Sequence, residues 1–165
     1  MAQHRSRIAL EPRPVASSLE ELLQGSTGRQ LLESGDAKSG AVLERVVIDG
    51  ERYVVKHISF SDDWLMRASG DLTGREVILW ESGLLHSLPP SIDHANVGAA
   101  RYDSPDGPRA ALLMHDVGPW LVPEGDAKLP LEQHLRFLDH MAELHAWFWE
   151  WTDTVGLMPL AKRYL

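Results

Sequence analysis

Residues 51–59 read ERYVVKHIS, an alternating run with a single lysine, Lys56, in its middle. Val55 and His57 flank that lysine on one pleat face, and Tyr53, Val54 and Ile58 add the β-branched and aromatic bias of a strand. Lysine is depleted in strands and is seldom fully buried without a partner. Lys56 therefore either points to solvent or faces a cleft where an anion meets it. Just upstream, AVLERVVI (41–48) is a second alternating run, and only Asp49-Gly50 separates the two. Asp-Gly between such runs is the strongest short-range hairpin signal. Further back, RQLLESG from Arg29 and the small-residue turn DAKSG (36–40) add a third run. Three successive antiparallel strands over residues 29–59 are the expectation.

After Ser59 the period of two gives way to helical spacing in two pieces broken at Gly70. Ser61 is expected to cap the first piece. Thr73 and Glu76 form a T-x-x-E capping pattern ahead of Val77, Trp80, Leu84 and Leu88, and Pro89-Pro90 ends that helix. Two more strands, Val97 to Asp103 and Arg109 to His115, are joined by the turn sequence SPDG. A Pro- and Gly-rich linker from Asp116 leads to one long helix, Leu131 to Trp151. Its apolar stripe runs through Leu131, Leu135, Leu138, Ala142, His145 and Trp149, which makes His145 a core histidine bonded to backbone. Trp147, Trp149 and Trp151 fall on several faces of that helix, so it should be covered on more than one side. Before the first strand, Pro12 and Pro14 mark an irregular lead-in, and Ser18 with Glu21 opens a short helix. The fold class expected is α+β: a five-stranded antiparallel sheet with a helix after strand three, then a hinge and a long helix. The chain divides into a lead-in (1–28), the sheet unit (29–117), and a linker with the start of a helical part (118–165).

Composition narrows the function. At 165 residues the chain is long enough for one domain with a real core or for two small lobes, and 44% hydrophobic with 24% charged is an ordinary globular balance. A net charge of −8 with 16 scattered basic residues argues against a nucleic-acid partner. The absence of cysteine excludes disulfides, thiolate metal sites and cysteine nucleophiles. No apolar leader and no window of roughly 18 apolar residues is present, so no membrane partner is expected and a cytoplasmic location is. His140, Glu143 and His145 do not make a metal motif: His140 and His145, five apart, stand about 140° from each other around a helix.

The order of these features resembles the amino-terminal lobe and first carboxy-terminal-lobe helix of protein-kinase-like enzymes, specifically the aminoglycoside phosphotransferase family. YVVK is similar to its strand-three V-x-K element, REVILWE to the following helix, LLMHDVG to the strand and hinge, and FLDHMAELHAWFW to its leucine-histidine helix. The resemblance covers most of residues 29–151. It implies an ATP-binding chain of a small-molecule kinase in which Lys56 meets the α- and β-phosphates and Glu76 orients Lys56. It also implies a phosphate-covering loop at Ser39 and Gly40, and a base pocket bordered by Met114, with the His115 carbonyl accepting from adenine and the Val117 N–H donating to it. Each residue has a plainer reading beside it: a solvated strand lysine, a helix-capping glutamate, an ordinary hairpin turn, a core methionine.

The family's catalytic loop, H-x-D-x-x-x-x-N, and its second metal-binding aspartate are not found. The sole asparagine is Asn96, with Ser91 where the aspartate would stand. The expectation is thus the amino-terminal portion of a longer kinase, or a truncated product, that binds nucleotide without transferring phosphate. Mg would be held only by a full-length enzyme, and a small-molecule acceptor only by a carboxy-terminal lobe. The alternative is a non-catalytic binding or dimerisation module that pairs through its Trp-rich helix.

Overall fold

The computed structural model describes residues 8, 10–32, 41–121 and 128–157. Its architecture is α+β, built on one five-stranded antiparallel sheet. In chain order come α1 (Leu19–Leu22), β1 (Thr27–Leu32), β2 (Val42–Ile48), β3 (Glu51–Ser59), α2 (Trp64–Ser69), α3 (Arg75–Glu81), β4 (Asn96–Ser104), β5 (Gly107–His115) and α4 (Leu131–Trp147). Short 3-10 turns occupy Leu84–Ser87 and Gly118–Trp120. The spatial order is β1-β2-β3-β5-β4, so the lysine-bearing strand lies at the centre.

The β2–β3 hairpin forms as its turn residues dictate. Asp49 (φ 51°) and Gly50 (φ 84°) both adopt positive φ, as a two-residue primed turn requires. That turn fixes the register, with Lys56 opposite Leu43 on one side and Leu112 on the other. Because side chains alternate across a strand, the sheet buries two cores. One, beneath α3, contains Ile58, Phe60, Val77, Trp80, Ala99, Ala110 and Leu112. The other, beneath α1, contains Leu23, Val46, Val55, Ala100, Ala111 and Leu113.

Several local expectations are corrected. The cap of α2 is Asp63, whose carboxylate accepts from the Leu65 and Met66 N–H groups; Ser61 lies too far upstream. The helix after Gly70 stops at Glu81, well short of Leu88, because Gly83 turns left-handed (φ 76°). The reason lies in the lead-in. Residues 11–16 run as a strap over the end of α3, and a Cβ on Gly83 would sit 2.1 Å from the Glu11 carbonyl oxygen. The Arg13 N–H donates to the Glu81 carbonyl (2.9 Å), the Trp80 indole N–H to the Pro14 carbonyl (3.0 Å), and Ala16 bridges to Ala100 of β4.

Helix α4 ends at Trp147, four residues before the expected Trp151. Its stripe is not a core: Leu131 (72% exposed), Leu135, Leu138 and Trp149 face outward, and so does His145, contrary to its reading as a core histidine. Periodicity reports which side chains share a face, not whether another element covers it. Two polar bonds tie α4 to the sheet unit. The Trp147 indole donates to the Ser87 carbonyl at 2.7 Å, and the Ser91 hydroxyl bonds the Glu143 carboxylate. Among the described residues, no helix is long and apolar enough to cross a membrane.

Gly83→Ala should cost about 1 to 3 kcal/mol and raise the hydrogen-exchange rate of the Arg13 and Ala16 amides, since both strain and a clash with the strap follow. Gly70→Ala is the control, with a similar φ of 69° but open space around it; it should leave those two amides as protected as in the wild type.

Candidate functional site

Lys56 projects from β3 toward α3, on the face that also carries Ile58. Its Nζ donates to Glu76 Oε1 at 2.7 Å, with the two side chains 26% and 39% exposed. A pair this accessible contributes only about 0 to 1 kcal/mol to stability, too little to account for a lysine in a central strand. The second carboxylate oxygen, Glu76 Oε2, is buried without a hydrogen-bond partner.

Glu76 is free to make this pair because it does not cap its own helix. The T-x-x-E box expected from the sequence is not formed: the N-cap is Gly74 (φ 68°), without a side-chain cap bond. Instead Asp71, only 3% exposed, accepts from the Gly74 N–H at 3.0 Å and the Arg75 N–H at 3.1 Å through Oδ1. Arg75 Nε stands 3.6 Å from Asp71 Oδ2. Thr73 is exposed, and what it offers is its carbonyl, which accepts from Arg101 Nη1 at 2.5 Å.

The lysine's neighbours on β3, Val55 and His57, face the other way. His57 Nε2 lies 3.0 Å from Glu44, and Arg29 grips the same carboxylate with two bonds of 2.7 Å. Arg29, opposed by burial and helped by His57, holds the Glu44 carboxyl below its ordinary range. This network ties β1 to β2 and β3 on the face opposite Lys56.

Past β5 the chain runs into the connector. Met114 is half-buried, paired with Val54 across the β3–β5 ladder, and packs against the core beneath α3. The His115 N–H donates to the Ala95 carbonyl at 2.9 Å, and its exposed ring stacks on Tyr53 with centroids 5.3 Å apart. Val117 is exposed, and its N–H has no hydrogen-bond partner among the described residues. Ser39 and Gly40 lie outside the described residues. Lys56, Glu76, Val54 and Met114 thus share one side of the sheet, with the connector backbone at its end.

Sequence reasoning missed two residues here. Arg45, paired with Val54 in the β2–β3 ladder and so on its face of the sheet, reaches across β3 and donates from Nε to Asp116 at 2.9 Å. Asp116 also accepts from the Gly118 N–H at 3.0 Å. A cavity of about 600 Å3 opens beside them, lined by Glu51, Arg52, Pro119 and Trp120 as well. An arginine in a half-polar strand and an acid at a strand end are each ordinary; only their pairing across 71 residues makes a clasp. The Gly118 N–H, opposed by partial burial and helped by the Arg45 guanidinium, holds the Asp116 carboxyl below its usual value. No group of three or more His, Asp or Glu side chains arranged to hold a metal occurs among the described residues.

No protein-family model, curated protein or solved structure matches the chain.

Because Asp116 has a lowered folded-state pKa, its charge contributes stability above the unfolded value of about 3.9, and that contribution fades as pH falls through the folded value. The gap in urea midpoint between the wild type and Asp116→Asn should therefore be wide at pH 6 and close progressively below about pH 4. A gap that stays constant to pH 2 would show that the clasp does not depend on the charge of Asp116.

Proposed function

We propose that this chain is a nucleotide-binding unit of the kind found in the amino-terminal lobe of aminoglycoside phosphotransferases, with ATP as its ligand. The observation that carries the reading is the Lys56–Glu76 pair at 2.7 Å. A phosphate chain calls for a cation that is aimed rather than free, and a carboxylate on a packed helix does the aiming. Three further features fit. Val54 and Met114 offer apolar surface on the lysine's face of the sheet for a base to stack on. Among the described residues the Val117 N–H has no partner where the hinge donor is expected, and the His115 carbonyl stands two residues before it. On this reading residues 29–117 form the kinase-like lobe, and ATP supplies the transferable phosphoryl group.

The reading stops at binding. The sequence supplies no H-x-D-x-x-x-x-N. Phosphoryl transfer to a small-molecule acceptor needs groups from a carboxy-terminal lobe.

Titration with a fluorescent ATP analogue tests it. Lys56→Met should weaken binding about tenfold or more, the scale of one lost charge-assisted hydrogen bond. Glu76→Gln, which leaves the cation but not its aim, should weaken it several-fold. Equal affinity in the wild type and Lys56→Met would overturn the proposal.

A second reading rests on the outward apolar face of α4, with Leu131, Leu135 and Leu138 exposed. In it the chain is a non-catalytic module that pairs with a second copy through this helix. Light scattering separates the two: a monodisperse dimer, dissociated by Leu135→Glu and indifferent to ATP, would favour the module.

A further inference from the structure

From His115 to Gly118 the connector bonds each backbone N–H but one. The His115 N–H goes to the Ala95 carbonyl, the Asp116 N–H to the Arg52 carbonyl at 3.3 Å, and the Gly118 N–H to Asp116 Oδ1 at 3.0 Å. The Val117 N–H between them has no partner among the described residues. Its setting is fixed by its neighbours. The Asp116–Gly118 bond closes a ring through the Val117 backbone, and the Val117 carbonyl accepts from the Trp120 N–H at 2.9 Å. A turn closed by an aspartate side chain lasts only while the carboxylate stays in place. Here it is packed close: a Cβ on Gly118 would lie 3.0 Å from Asp116 Oδ1.

What keeps that carboxylate in place comes from another strand. The Asp116 side chain is only 9% exposed, and a charge so withdrawn from water needs a partner. Arg45 supplies it, donating from Nε to Oδ2 at 2.9 Å. On β2, Arg45 shares a row with Val54 of β3 and Met114 of β5, and Asp116 follows Met114 by two residues, beside Arg52. The guanidinium thus reaches diagonally over the central strand to the connector. Arg52 is exposed and adds only a longer-range attraction. Without Arg45 the carboxylate would gain by turning out to water, and the Gly118 bond would go with it.

We infer that Arg45 is a positioning residue: by anchoring Asp116 from β2, it holds the connector turn that keeps the Val117 N–H fixed and unpaired, as a donor to a nucleotide base. That a base meets this donor rests on the function proposed above; the hold on the turn does not.

Hydrogen exchange of the ligand-free protein, read residue by residue by NMR, tests the hold. In Arg45→Gln the Gly118 amide should exchange about two- to tenfold faster than in the wild type, the scale of one lost hydrogen bond. The Ala16 amide, bonded to the Ala99 carbonyl on β4, should keep its rate. Arg45→Lys, which retains a cation and a donor, should stay near the wild type. A Gly118 amide that is unchanged in Arg45→Gln, or that quickens in step with Ala16 as a general loosening would make it, overturns the inference. Calorimetric titration with ATP and with inorganic tripolyphosphate then separates base from phosphate. Arg45→Gln should weaken ATP several-fold and leave tripolyphosphate unaffected, whereas Lys56→Met should weaken both. Equal loss of the two ligands in Arg45→Gln, or loss of neither, would overturn the part given to Arg45 in meeting a base. A wild type that binds neither ligand would remove the proposed function and leave the exchange result to decide the hold.

Discussion

The backbone N–H groups that open α3 have no partner within their own helix, and the answer to that need shapes the whole sheet-facing site. Asp71 meets it from a buried position. Glu76, in the first turn, joins the helix to the central strand through Lys56. At its other end α3 is closed by the strap over Gly83 and by the bonds to Glu81 and Trp80. A helix of only seven residues is marginal by itself. Held at both ends and packed through Val77 and Trp80, it becomes a fixed platform for one carboxylate.

The two faces of β3 divide their work. On one, Val55 is fully buried and Glu44 is saturated by Arg29 and His57, so that side is finished internally. On the other, Ile58 anchors the core beneath α3, while Lys56 and Val54 stand farther along, where burial is incomplete. A strand buried to different depths along its length can combine stability with an accessible polar group. The Arg45–Asp116 clasp extends the same side toward the connector, fixing the exit of β5 relative to β2.

Features that depend on neighbouring residues alone were legible in the sequence. Asp49-Gly50 dictated a hairpin because its turn chemistry is local, and it brought the register of Lys56 with it. The five strands and the break at Gly70 followed from period and punctuation. The Lys56–Glu76 pair was nameable only through the resemblance to a kinase family, since nothing local links positions 20 apart. Where tertiary partners compete, reading failed. Thr73 looked like a cap because the buried acceptor, Asp71, sits in an unremarkable D-L-T-G-R stretch. The end of α3 was misjudged because what stops it is the lead-in, some 70 residues away in sequence. The apolar stripe of α4 was visible, but exposure depends on what lies opposite it.

The docking of Ala16 on β4 bears on how the sheet meets its surroundings. With the order β1-β2-β3-β5-β4, two outer strands present open backbone groups, and such rims recruit foreign strands. Along β4 the Ala16 N–H and carbonyl engage Ala99 and Arg101, so part of that rim is already occupied by the protein's own chain. Along β1 the register slips between Thr27 and Gln30 next to a left-handed Gly28, and Arg29 places a charge beside the irregularity. A slipped, charged border is a poor template for an incoming strand. The same short segment that steadies α3 thus also blunts one side of the sheet against self-association.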